Sequence, residues 1–211
     1  MSYGPAIRHL KRSDATMRRV IEQVGPCKLH QECVTDEFAA LADSIIYQQL
    51  AYKAAATISR RFQGLYAGKN GDAPRFPTPA ELLATPLRKL RSVGLSKQKA
   101  RYMVDLARKA ANGTVQFGHF AQLTDSEVVE NVTLVKGIGR WTAEMFLIFC
   151  LRRPDVLPVG DLGVQYAFKS AYKMRKLPST ERMEKLAEPW RPYRTVATWY
   201  LWKSRRAEIG A

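Results

Sequence analysis

Residues 134–143 read LVKGIGRWTA, a short turn with two glycines flanking an isoleucine, followed at once by a helix whose second residue is a tryptophan. Gly137 and Gly139 can take backbone angles closed to other residues and let another group approach the main chain, while Ile138 can anchor the loop in the core. The helix that follows begins with its N–H groups aimed outward. Turn and helix start together make a concave anion site suited to a phosphate of a nucleic-acid backbone. A G-x-G before a helix is also an ordinary helix–helix connection, so the rest of the chain has to decide between the two.

The charge points the same way. The 211 residues carry 34 Lys and Arg against 19 Asp and Glu, a formal +15, which exceeds what solubility requires and attracts a polyanion from a distance. Composition alone fits a DNA enzyme and a ribosome-associated or merely basic protein equally. The length suits one large domain or two small ones sharing a core. Cys27, Cys33 and Cys150 are too few and too scattered for a disulfide framework, and no Cys and His cluster has zinc spacing, which predicts a reducing, intracellular compartment. The first residues lack a signal-peptide core, and no stretch approaches the ~20 apolar residues of a membrane span, so the expectation is a soluble protein.

Helical periodicity dominates. In TDEFAALADSIIYQQLA (35–51), Phe38, Leu41, Ala42, Ile45, Ile46 and Gln49 recur at three- and four-residue intervals behind Thr35 as a cap. Further helices are predicted over 14–24, stopped by Gly25 and Pro26, and over 51–63, 97–112, 141–151 and most of 192–204. Strand signals are short and lack hairpin turns. The Gly- and Pro-rich stretch GLYAGKNGDAPRFPTPAELL (64–83) reads as a surface loop. The chain is therefore expected to be all-α.

With TDSEVVENV as a helix before it and another helix after it, LVKGIGRWTA resembles the hairpin of helix–hairpin–helix DNA-repair proteins. Asp161, in LPVGDLGVQ, follows the second glycine by 161 − 139 = 22 residues, the pattern of the helix–hairpin–helix (HhH-GPD) DNA glycosylase superfamily. IIYQQLAYKAAATISRRF, VGLSKQKARYMVDLA and WRPYRTVATWYLW resemble their counterparts in alkylbase glycosylases of the 3-methyladenine DNA glycosylase II type. The resemblance runs from about Ser13 to Trp202 and is to a compact form without the amino-terminal β-rich domain of longer bacterial members. Two departures are Lys136, where proline is common, and Met145, where some members place a pocket tyrosine.

The resemblance implies two helical lobes with DNA bound across their cleft, a central bundle at 35–155 and a second lobe from 1–34 and 156–211. It implies excision of alkylated bases of the 3-methyladenine and 7-methylguanine type from double-stranded DNA by a monomer with no cofactor and no membrane contact. The place of work would be the cytoplasmic nucleoid of a bacterium or the nucleus of a eukaryote. Asp161 is then the catalytic carboxylate, although its own position before Leu162 equally makes it a helix cap. Trp141 and Trp199, with Met145 and Tyr47, would line the base pocket, since a cationic base is drawn to aromatic faces; each tryptophan is also plausible core. Leu50, with Gln49 beside it, is either the wedge that fills the gap left by the extruded base or a core leucine. Gly137, Gly139 and the Thr142 region, with Lys136 and Arg140, would hold phosphates.

Members that also cut the strand carry a lysine two residues past the second glycine, where this chain has Trp141. The resemblance therefore implies water as the nucleophile. A non-catalytic helix–hairpin–helix protein would account for charge and hairpin but not for Asp161 together with the tryptophans. Three dispersed cysteines also fall short of the four ligands of an iron–sulfur cluster.

Overall fold

The computed structural model describes residues 3–32, 34, 36–68 and 73–209, which form helices and connecting turns with no strand among them. None of the helices is long and apolar enough to cross a membrane. The chain divides into two compact units, one from residues 1–33 and 147–211, the other from residues 34–146.

In the 34–146 unit the helices are α3 (Glu37–Tyr47), α4 (Tyr52–Gly64), α5 (Pro79–Ala84), α6 (Leu87–Ser92), α7 (Lys97–Ala111) and α8 (Asp125–Thr133), followed by the start of α9 (Arg140–Phe149). Helix α7 is the centre of this unit and packs against α3, α5 and α6. Helix α3 buries Phe38, Leu41, Ala42, Ile45 and Ile46, the face its periodicity predicts. Gln49 is not on that face. The helix stops at Tyr47 and Gln49 takes a positive φ of 55°, so the chain turns two residues before the apolar pattern ends. The cap is Asp36, whose side chain accepts from the Ala39 N–H at 2.8 Å; Thr35, like Cys33, lies outside the described residues. The stretch read as loop contains a further helix: Thr78 and Glu81 form a capping box that starts α5, with Pro79 in its first turn.

The other unit holds α1 (Gly4–Ser13), α2 (Ala15–Val24), α10 (Leu162–Ala171), α11 (Thr180–Ala187) and α12 (Arg194–Ile209), with α12 packed on both α10 and α2. Arginine follows Pro192 and Tyr193 at the start of α12, so the last helix begins two residues later than its sequence suggests.

One carboxylate organises this unit. Asp14 caps α2 through Thr16 and Met17 N–H groups at 2.7 and 3.1 Å, and its other oxygen accepts from the Tyr172 hydroxyl and, at 2.9 Å, from the indole N–H of the fully buried Trp190. Burial and the neighbouring Asp14 push the Tyr172 phenol well above its usual range. Asp14→Ala strands two donors and removes a cap, which should cost about 3 kcal/mol of stability in urea unfolding.

Candidate nucleic-acid interface and active site

The hairpin between α8 and α9 is set by close packing. Val135 and Ile138 are buried, and the Ile138 N–H closes the turn on the Val135 carbonyl at 3.0 Å. Gly137 has φ +85°, and a Cβ there would lie 2.2 Å from the Tyr102 ring, so both angle and space exclude any side chain. Gly139 differs from expectation: its φ is not positive and a Cβ would meet nothing within 4 Å. Its carbonyl accepts from the Ala143 N–H at 3.0 Å, which makes it the cap residue of α9. The first turn of α9 then directs N–H groups outward. Thr142 is only 6% exposed, so what it offers an anion is its backbone rather than its hydroxyl.

A carboxylate that the sequence did not single out holds this turn. Asp105, on α7 and 8% exposed, accepts at 2.8 Å from both the Lys136 N–H and the Lys109 ammonium, which also donates to the Leu134 carbonyl. The Lys136 side chain is left exposed. Arg140 reaches one turn forward to the buried Glu144 at 3.1 Å while most of its side chain faces solvent. Trp141 is 50% exposed on the first turn of α9, and Met145, one turn on, is half-buried.

The turn after α3 is tied to the same hairpin. Lys99 donates to the Ile46 and Gln48 carbonyls at 2.7 and 2.6 Å, satisfying the end of α3, and burial lowers its pKa from the ordinary lysine value. Gln48 Nε2 donates to the Gly137 carbonyl at 2.7 Å. Directly after these anchors Gln49 and Leu50 are exposed, Leu50 by 41%, so it is no core leucine. Tyr47 is half-buried, its ring 5.7 Å from that of the exposed Tyr52.

Asp161 belongs to the other unit. It caps α10, Oδ1 accepting from the Val164 N–H at 2.7 Å and from the Trp202 indole N–H at 3.0 Å. The Trp202 ring stacks on Phe149 at 5.8 Å. Gly163 makes room for this arrangement, since a Cβ there would lie 2.9 Å from Asp161 Oδ1 and 3.4 Å from the Trp202 ring. Two donors on one oxygen fix the direction in which the carboxylate points.

Trp199 needs correction as a stacking surface. It is 2% exposed, its N–H donates to Glu32 at 3.1 Å and the Lys203 ammonium sits 5.3 Å from its ring centre, so neither face is open to a base. The indole beside Asp161 is Trp202. Spacing could not separate the two, because they lie three residues apart on one helix and the deciding partner, Glu32, is distant in sequence.

Gly137→Ala should lower stability by about 3 kcal/mol, from a strained φ and a collision with Tyr102. Gly139→Ala should cost under about 1 kcal/mol. Urea unfolding of the two variants side by side checks the asymmetry. Lys99→Met, which unpairs two carbonyls at the end of α3, should cost about 1–3 kcal/mol by the same measurement.

Residues 42–192 match the model of the HhH-GPD superfamily base excision DNA repair protein family. The alkylbase DNA glycosidase-like protein mag2 of Schizosaccharomyces pombe is 31% identical over 202 residues, covering 95% of this chain and 93% of that one. DNA-3-methyladenine glycosylase 1 of the same yeast is 34% identical over 200 residues, covering 94% and 86%. Among solved structures, the Schizosaccharomyces pombe 3-methyladenine DNA glycosylase Mag1 in complex with abasic DNA superposes with a TM-score of 0.80 at 33% identity, over 96% of this chain and 97% of that one. A DNA-3-methyladenine glycosidase from Bacillus halodurans gives a TM-score of 0.86 at 32% identity, over 100% and 94%. The hairpin, the capping aspartate beyond it and these likenesses agree, and the chain belongs to the HhH-GPD superfamily of base excision DNA repair proteins.

Proposed function

We propose that this protein is a monofunctional DNA glycosylase that extrudes alkylated bases of the 3-methyladenine and 7-methylguanine type from duplex DNA and removes them by hydrolysis. The observation that carries the reading is Asp161, a carboxylate aimed by two donors on Oδ1 at the start of α10. Relatives and neighbours named as 3-methyladenine glycosylases support the substrate class, and the neighbour bound to abasic DNA supports the polymer.

N-alkylation gives a purine a positive charge, so its bond to the sugar is weak and the base leaves with the bonding electrons without a strong acid. Asp161 stabilises the positive charge that develops on the sugar and orients the water that attacks it; the water loses a proton as its oxygen bonds to the sugar carbon. Trp202 acts through Asp161 as a positioning residue. Trp141, half exposed on the first turn of α9, is the indole that meets the cationic ring. The backbone around Gly137 and Gly139 holds a phosphate, and Leu50 fills the stack. No amine stands two residues past Gly139: Trp141 is there, Lys136 precedes the turn's glycines, and Arg140 stays protonated. Water is therefore the nucleophile, and the product is an abasic site in an intact strand. The enzyme works as a monomer, without a cofactor, in the compartment that holds the DNA.

Asp161→Asn should lower base release from methylated duplex DNA by at least about 100-fold while leaving DNA binding nearly intact. Chromatography of the released bases checks both the rate and the substrate class, and unchanged release would remove Asp161 from the mechanism. Trp202→Phe keeps an aromatic ring but loses the indole N–H, and should slow single-turnover excision by about 10- to 100-fold at unchanged affinity for abasic DNA. Borohydride added during turnover should trap no protein–DNA adduct, with strand breaks appearing only after alkali or heat; a trapped adduct would make the enzyme a lyase.

A further inference from the structure

Beside the hairpin, the 34–146 unit has an open groove of about 720 Å³ along α7. Lys97, Arg101 and Arg108 line it, together with Lys136 at the edge of the hairpin turn, and Tyr102 and Asp105 form part of its floor. Lys97, Arg101, Arg108 and Lys136 are all exposed. Among the described residues none of these four has a carboxylate at ion-pair distance. Asp105 offsets part of the Lys136 charge, but it is 8% exposed and its hydrogen bonds go to Lys109 and the Lys136 N–H, which leaves Lys97, Arg101 and Arg108 without a carboxylate partner.

Three cations without a carboxylate partner, with Lys136 beside them, repel each other and favour an anionic occupant. The dimensions say which kind. Lys97 and Arg108 are separated by about 16 Å of helix axis at ~1.5 Å per residue. One strand of duplex DNA carries a phosphate every ~3.4 Å of axis, so the groove spans several phosphates rather than a single small anion. It also begins at Lys136, next to the turn proposed above to hold a phosphate. Continuity with that turn favours the same polymer.

We propose that this groove is a second DNA-backbone site, which takes the phosphates flanking those held by the hairpin and binds damaged and undamaged duplex alike. The proposal rests on the DNA reading of the hairpin but not on base excision. It gives the protein a hold on DNA that does not depend on a lesion, with α7 serving as both the packing centre of its unit and the strand's track.

The test is binding of an undamaged duplex, read by fluorescence anisotropy between about 50 and 200 mM salt. Arg101→Gln/Arg108→Gln should flatten the log–log salt slope by about 2, at ~0.9 per lost phosphate contact, and weaken binding about tenfold at the lower salt. Arg101→Lys/Arg108→Lys should keep the slope. Arg175→Gln/Lys176→Gln, which removes the same charge from exposed positions in the other unit, should also keep it. A slope unchanged in the Arg101/Arg108 glutamine variant, or reduced equally in the control, overturns the proposal and leaves the groove to an acidic protein or to nothing. Base release from methylated DNA, measured in parallel, separates the two readings: a reduced slope with no release keeps the groove and discards the glycosylase, whereas release with an unchanged slope does the reverse.

Discussion

The contact between the Tyr102 ring and the main chain of Gly137 is the constraint on which the 34–146 unit's functional surface depends. Because the ring occupies the volume a side chain would need, residue 137 is glycine, and its positive φ bends the chain into the start of α9. The bend fixes where the Gly137 carbonyl points, and that carbonyl is the acceptor for Gln48, which ties down the turn bearing Leu50. Asp105, one turn of α7 away from Tyr102, fixes the other side of the bend through the Lys136 N–H. A single helix thus sets the hairpin turn, the exposed leucine and the basic groove at once.

The other unit solves a different problem, holding one carboxylate still at a helix start. Asp161 does this with a backbone donor and an indole, and Gly163 supplies the space. The local cap and the proposed chemical role do not compete. The hydrogen bond that starts α10 is also what aims the carboxylate, so a residue type suited to capping is already held in one orientation.

What could be read from sequence was what is local. The buried face of α3, the tight turn at Gly137 and Asp161 as the residue before a helix all follow from periodicity and turn chemistry within a few residues. The failures share a cause, which is a partner far along the chain. Asp105 sits mid-helix and its role depends on an N–H on the hairpin; Trp199 is closed off by Glu32, while Trp202 reaches Asp161. The end of α3 is not marked in the sequence, because Lys99 satisfies its last carbonyls and no Gly or Pro stands at the stop. Helix α5 is hidden for the opposite reason: its capping box is present in the sequence, but glycine and proline around it mask the signal.

The three-way fit of Asp161, Gly163 and Trp202 bears on how such a chain can diverge. Any side chain at 163 meets both the carboxylate oxygen and the indole, so a change there is felt at once by two other positions, one of them on a different helix. Lineages are therefore expected to inherit the three as a block, and a descendant that abandons the aspartate is released from keeping glycine and tryptophan as well. Loss of the trio in a chain that retains Gly137 and Tyr102 would leave the hairpin turn in place without the fixed carboxylate, which on the proposed roles is a protein that binds DNA without acting on it.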